Sequence, residues 1–156
     1  TVAVLTSTGI PVCAHIGLRP QTIHQMGGYK IQGKTSLSAD LLIEEAKMFE
    51  EAGAFALLLE GIVADVAFEI TRMVKIPTIG IGSGVGCDGQ VLVIYDLLGL
   101  DKDFSPKFIK KYVDLNGIIT NAVEKYIEDV HEGNFPSEEH SFYRELQVVK
   151  KANANC

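Results

Sequence analysis

The run Phe55-Ala56-Leu57-Leu58-Leu59-Glu60 constrains this chain most, because it is an apolar stretch of strand character that closes on a carboxylate. Two further segments repeat its form: Gly9-Ile10-Pro11-Val12-Cys13-Ala14-His15-Ile16-Gly17-Leu18 and Ile76-Pro77-Thr78-Ile79-Gly80-Ile81-Gly82-Ser83-Gly84. Each is a short β-rich run, entered through Gly or Pro and left through polar or glycine residues, with a helical pattern beside it. This is a repeated βα unit. A fourth strand is predicted over residues 90–95, whose centre Val91-Leu92-Val93-Ile94 is wholly apolar. Runs that read as buried on both faces point to a parallel sheet.

The intervening segments read as helices. Residues 1–7 resemble the end of a helix with no capping residue ahead of Val2, Val4 and Leu5, so an earlier beginning is expected. Residues 37–52 place Leu41, Leu42, Ala46, Phe49 and Ala52 at helical spacing, with Ser36 or Ser38 as cap and Gly53 as stop. Further helices are predicted over 64–74, 106–115 and 118–131. Residues 20–35 form a long loop carrying Gly27, Gly28 and Gly33, within which 21–26 can form a short helix. Loops of that length tend to be functional. Residues 133–143 read as irregular. The expected division is one α/β domain over residues 1–143 and a polar tail over 144–156.

Charge excludes some functions. A net charge of -6 and the lack of any basic cluster beyond Lys107, Lys110 and Lys111 argue against a nucleic-acid surface. No apolar run approaches the ~20 residues of a membrane span, so no membrane partner is expected. Cys13, Cys87 and Cys156 are widely separated, with neither metal-ligand nor redox spacing, and fit a reducing, cytoplasmic setting.

In α/β proteins, side chains at strand ends reach from the core into a ligand crevice. Glu60 is therefore a candidate for proton transfer, the alternative being a strand-terminal Glu that faces water. Leu57, Leu58, Leu59 and Ile62 around it would desolvate the carboxylate and raise its pKa toward the range useful to a base. His15 is expected at the end of the preceding strand, on the same face, where a packed or loop-bracing role is the alternative to binding. The segment Gly80-Ile81-Gly82-Ser83-Gly84 lacks the Lys and Ser/Thr of a phosphate loop and reads as tight turning beside the site. Asp88 and Asp96 are metal-ligand candidates by residue type alone. Four βα units supply half of an eight-stranded barrel, for which about 250 residues are typical.

Several strings, in chain order, resemble the ketopantoate hydroxymethyltransferase family: His15-Ile16-Gly17-Leu18 with Pro20-Gln21, Gly28-Tyr29-Lys30 with Gln32-Gly33-Lys34-Thr35, Glu51-Ala52-Gly53-Ala54-Phe55, and Leu59-Glu60. Ile76-Pro77-Thr78-Ile79-Gly80-Ile81-Gly82, Cys87-Asp88-Gly89-Gln90-Val91-Leu92-Val93, Pro106-Lys107-Phe108 and Glu139-His140-Ser141-Phe142 continue the likeness, which spans residues 9–143. Arg19, Cys13-Ala14 and Gly61 depart from the usual pattern.

The resemblance implies the C-terminal half, strands five to eight, of a (βα)8 TIM barrel. It implies transfer of a hydroxymethyl group from 5,10-methylenetetrahydrofolate to 3-methyl-2-oxobutanoate, giving ketopantoate for pantothenate and coenzyme A synthesis. Glu60 then falls on the family's general base, and His15 on a residue that hydrogen-bonds the keto acid or its product. Mg²⁺ is implied, with its ligands on earlier strands, so no metal ligand is assigned among these residues and Asp88 and Asp96 are set aside. His24 is left as a loop residue that could approach the folate, and His140 as structural. Cytoplasmic homo-oligomers, often decamers, are also implied. Two other readings stay open: a non-catalytic half-barrel serving as an interaction module, and a phosphoenolpyruvate mutase-type keto-acid lyase.

Overall fold

The computed structural model describes residues 1–22, 30–103 and 105–144. His24, Gly27, Gly28, the expected helix beyond Thr22 and the tail from residue 145, Cys156 included, lie outside the described residues. Two compact units are formed, Thr1–Val113 and Asp114–Cys156.

The first unit runs α1 (Val2–Ser7), β1 (Cys13–Gly17), a 3-10 turn (Pro20–Thr22), α2 (Ser36–Glu51), β2 (Ala56–Glu60), α3 (Ala64–Met73), β3 (Thr78–Ile81), β4 (Gly89–Gln90) and α4 (Ile94–Leu97). The strands form one parallel sheet in the order β1-β2-β3-β4. The α/β architecture with a parallel sheet is thus as the sequence pattern predicts.

Strand side chains alternate between faces, and the alternation decides where the chemistry goes. Ala14 and Ile16 of β1 and Leu57 and Leu59 of β2 turn to one face and pack with Leu42, Ile43 and Ala46 of α2 and Val66, Ala67 and Ile70 of α3. Ile16, Leu57, Leu59 and Ile70 are fully buried there. Each such side chain contributes about 1.5–3 kcal/mol. His15, Leu58 and Glu60 take the opposite parity and the opposite face.

Polar contacts fasten the layers. Thr35, rather than Ser36 or Ser38, is the N-cap of α2, and its hydroxyl accepts from Ser38 N while Ser38 Oγ accepts from Thr35 N. Ser38 therefore serves as the reciprocal half of a capping box. The buried stripe of α2 uses Ile43 in place of Leu41, which is 63% exposed. Glu50 Oε1 accepts from Lys75 N at 2.6 Å and Ile76 N at 3.2 Å, joining the end of α2 to the entry of β3.

Two predicted elements differ. The fourth strand stops at Gln90 instead of reaching Tyr95, and residues 94–97 coil into α4. Among the described residues β4 pairs only with β3, and the last backbone bond of that seam runs from Val91 N to Gly80 O. Beyond it Val91, Val93 and Ile94 are exposed, so the apolar run has no second strand to bury it. The helix expected over 106–115 is a single turn closed by Ile109 N on Pro106 O, and Tyr112 N is drawn off to Leu97 O.

In the second unit α5 spans Leu115–Glu132, capped by Asp114, which accepts from Gly117 N. His140 stands in a 3-10 turn (Glu138–His140), its ring tilted by 59° against Phe135 with centroids 5.0 Å apart and hydrogen-bonded through Nδ1 to Ser137 Oγ at 2.8 Å.

Candidate active site

Glu60 is the last residue of β2, as the sequence indicates, but its position is held by more than strand pairing. Glu60 O accepts from Leu18 N at 2.7 Å, and Gly61 N donates to Ile81 O at 2.9 Å. Ser83, fully buried, reaches back across the turn: its hydroxyl donates to Leu59 O at 2.7 Å and accepts from Ile62 N at 3.1 Å. The backbone on both sides of Glu60 is therefore tied to one side chain. Gly17, paired with Glu60 in the ladder, has φ +89, and a Cβ there would collide with the Glu60 carbonyl and the Ile62 side chain. Only glycine lets the two strands close up at this point.

His15 lies third in β1 and not at its end, opposite Leu58 in the register. That offset keeps it on Glu60's face, one strand over and two residues back. Its Nε2 comes to 3.1 Å from Glu60 Oε2, the side chains being 24% and 16% exposed. The distance is that of an electrostatic contact, yet Nε2 has no hydrogen bond of good geometry. Nε2 is buried where it stands against the carboxylate.

Partial burial raises the Glu60 pKa above its ordinary range, and the adjacent imidazole opposes that rise without cancelling it. The carboxylate is thus a stronger base than a solvated Glu. Cys87 is also raised, chiefly by burial.

The other candidates separate. Asp88 Oδ2 accepts from Thr78 N at 2.9 Å and Thr78 Oγ1 at 3.1 Å, and Thr78 Oγ1 contacts Thr71 Oγ1 at 2.9 Å. These bonds splice α3, β3 and the approach to β4, so Asp88 is a structural acceptor. Asp96 sits in α4. Among the described residues no three His, Cys, Asp or Glu side chains gather as a metal group. They do not by themselves fit the Mg²⁺ that the resemblance implies.

The Gly82–Gly84 turn follows β3 beside Glu60's strand, consistent with tight turning. What residue patterns alone missed is Ser83. Its signal was a lone hydroxyl among glycines directly after a strand.

A strand-end carboxylate of raised pKa thus stands beside an imidazole on a parallel sheet. The ketopantoate hydroxymethyltransferase family profile matches residues 1–138. This chain belongs to that family. A 3-methyl-2-oxobutanoate hydroxymethyltransferase of Geobacter metallireducens is 56% identical over 142 residues, covering 91% of this chain and 53% of the relative. Its counterpart in Pelodictyon phaeoclathratiforme is 53% identical over 142 residues, covering 91% of this chain and 51% of that protein. That of Trichlorobacter lovleyi is 55% identical over 138 residues, covering 88% and 52%. The chain spans about half the length of the curated relatives it matches. Within the ketopantoate hydroxymethyltransferase family, this chain's described residues carry β1 to β4 and the Glu60–His15 pair.

Proposed function

We propose that this chain is the C-terminal half of a (βα)8 barrel that moves a one-carbon unit from 5,10-methylenetetrahydrofolate to 3-methyl-2-oxobutanoate. In this reading residues 1–143 belong to the barrel domain and 144–156 are its tail. The half-buried face of β1 and β2 that carries His15, Leu58 and Glu60 becomes the barrel interior once further strands close the ring.

The observation that carries the reading is the Glu60 carboxylate: strand-end, partly desolvated and beside His15 Nε2 at 3.1 Å. Its raised pKa makes it a better acceptor for the C3 proton of the keto acid than a solvated carboxylate would be. The electron pair released at C3 forms a bond to the transferred carbon, the bonds from that carbon to the carrier nitrogens break, and water supplies the hydroxyl oxygen. Tetrahydrofolate and ketopantoate are the products. In this reading His15, beside the base, hydrogen-bonds the keto acid or its product, as the resemblance implies.

Mg²⁺, implied by the resemblance, would neutralise charge on the keto oxygen with ligands drawn from segments outside this chain. Cytoplasmic location and a homo-oligomer, possibly a decamer, accompany the reading.

The test is product formation by the complete protein that contains this segment, supplied with keto acid, methylenetetrahydrofolate and Mg²⁺. Ketopantoate is expected by mass spectrometry, with turnover falling at least ~10²-fold in Glu60→Gln, the scale of general-base loss. Product formation unaffected by that substitution would overturn the assignment of Glu60.

A further inference from the structure

Glu60 stands at the last position of β2, and the residue after it is Gly61, whose φ of +60 lies in the left-handed region. Glycine has no Cβ to restrict rotation there, so residue 61 is the softest joint in the backbone beside the carboxylate. A general base tolerates little play, because about 1 Å of misplacement can cost a reaction ~10²-fold.

Ser83 spans that joint. Its hydroxyl donates to Leu59 O at 2.7 Å, on the peptide before Glu60, and accepts from Ile62 N at 3.1 Å, on the peptide after Gly61. The two peptide planes that bracket Glu60 and Gly61 thus meet on one oxygen, and the rotations between them cannot change far without breaking a bond to it. Ser83 is 0% exposed, so water is not at hand to replace either bond. The turn that carries Ser83 is itself fixed from its far side. Gly84 O accepts from Gln90 Nε2 at 2.9 Å, and Gly84 lies so close to the start of α3 that a Cβ there would collide with Ala64. The brace is therefore anchored to β4 and α3, independently of the strand end it holds. Its effect reaches the charge pair, since Glu60 Oε2 keeps its 3.1 Å from His15 Nε2 of β1 only while the end of β2 keeps its place.

We propose that Ser83 is a positioning residue for the base: it locks the Glu60–Gly61 joint and so holds the carboxylate where it can take the C3 proton, its own hydroxyl being spent on the backbone. The inference rests on the reading of Glu60 as that base. Gly61 is one of the positions at which this chain departs from the family pattern, and the need for the bridge comes with that glycine.

The experiment is donor-free C3 deuterium exchange of 3-methyl-2-oxobutanoate by the complete protein, unsubstituted and as Ser83→Ala, Glu60→Gln and the double variant. Circular dichroism confirms that each is folded at the assay temperature. Ser83→Ala should lower exchange at saturating keto acid at least about tenfold, the scale of a slightly misplaced base. The Michaelis constant should stay within about twofold, because the groups that bind the keto acid do not move. In the Glu60→Gln background the same substitution should have no further effect, since a residue that acts through Glu60 then has nothing left to place. Gln90→Leu, at an exposed side chain, releases the far side of the turn and should slow exchange by a smaller factor. Unchanged exchange in folded Ser83→Ala, or the same loss with and without Glu60, would overturn the positioning role and leave Glu60 as the base. Where Ser83→Ala does not fold, unchanged exchange in Gln90→Leu would overturn it. Unchanged exchange in Glu60→Gln would instead remove the reading on which the inference rests.

Discussion

At Glu60, burial raises the pKa and His15 pulls it back, and burial wins. The sign of the stability linkage follows. A carboxyl whose folded pKa exceeds its unfolded value favours folding below the ordinary Glu value of 4.5, and that contribution fades as pH rises through the raised value. Glu60→Gln should remove this part of the pH dependence, so denaturant melts of the two complete proteins should converge at acid pH and diverge above it, with the Gln form favoured. Parallel curves would contradict the raised pKa. His15→Ala removes the group that holds the pKa down. The acid limb of keto acid exchange should then move to higher pH and the Michaelis constant for the keto acid should rise, with thermal stability little changed. A collapse in stability with both kinetic features unmoved would assign His15 to packing instead.

Among the elements, the link between the end of β2 and the turn after β3 runs through Ser83. Ser83→Ala leaves Ile62 N–H buried without its acceptor, a loss of about 1–3 kcal/mol. Urea unfolding of the complete protein should show it, and an unchanged midpoint would mean that the turn holds Glu60 without the hydroxyl. This contact also marks where sequence reading reached its limit. Apolar β-rich runs with Gly and Pro boundaries were enough for β1, β2, β3 and the parallel sheet, because β1 and β2 pack on α2 and α3, and β3 pairs with β2, within this chain. The run from Val91 to Ile94 has the same pattern, but its burial depends on a second flanking strand, which no local pattern reveals. Glu60 was legible as a charge at the end of an apolar run. Its 3.1 Å contact with His15 depends on the β1–β2 register, and register is a tertiary fact.

For the whole molecule, the proposal is that half a barrel holds the base while the remaining half holds the groups that make the C3 proton acidic. Residues 1–156 alone should therefore form no ketopantoate from keto acid, methylenetetrahydrofolate and Mg²⁺. The same segment mixed with the other half of the barrel should regain activity as the sheet closes. Ketopantoate formation by the isolated segment would contradict this division of labour. The most direct test of Glu60 itself is nuclear magnetic resonance of 3-methyl-2-oxobutanoate in D₂O with the complete protein and no carbon donor, which follows loss of the C3 proton alone. The account predicts steady exchange by the unsubstituted protein and at least a ~10²-fold slower rate in Glu60→Gln with keto acid still bound. Equal exchange rates in the two proteins would contradict it.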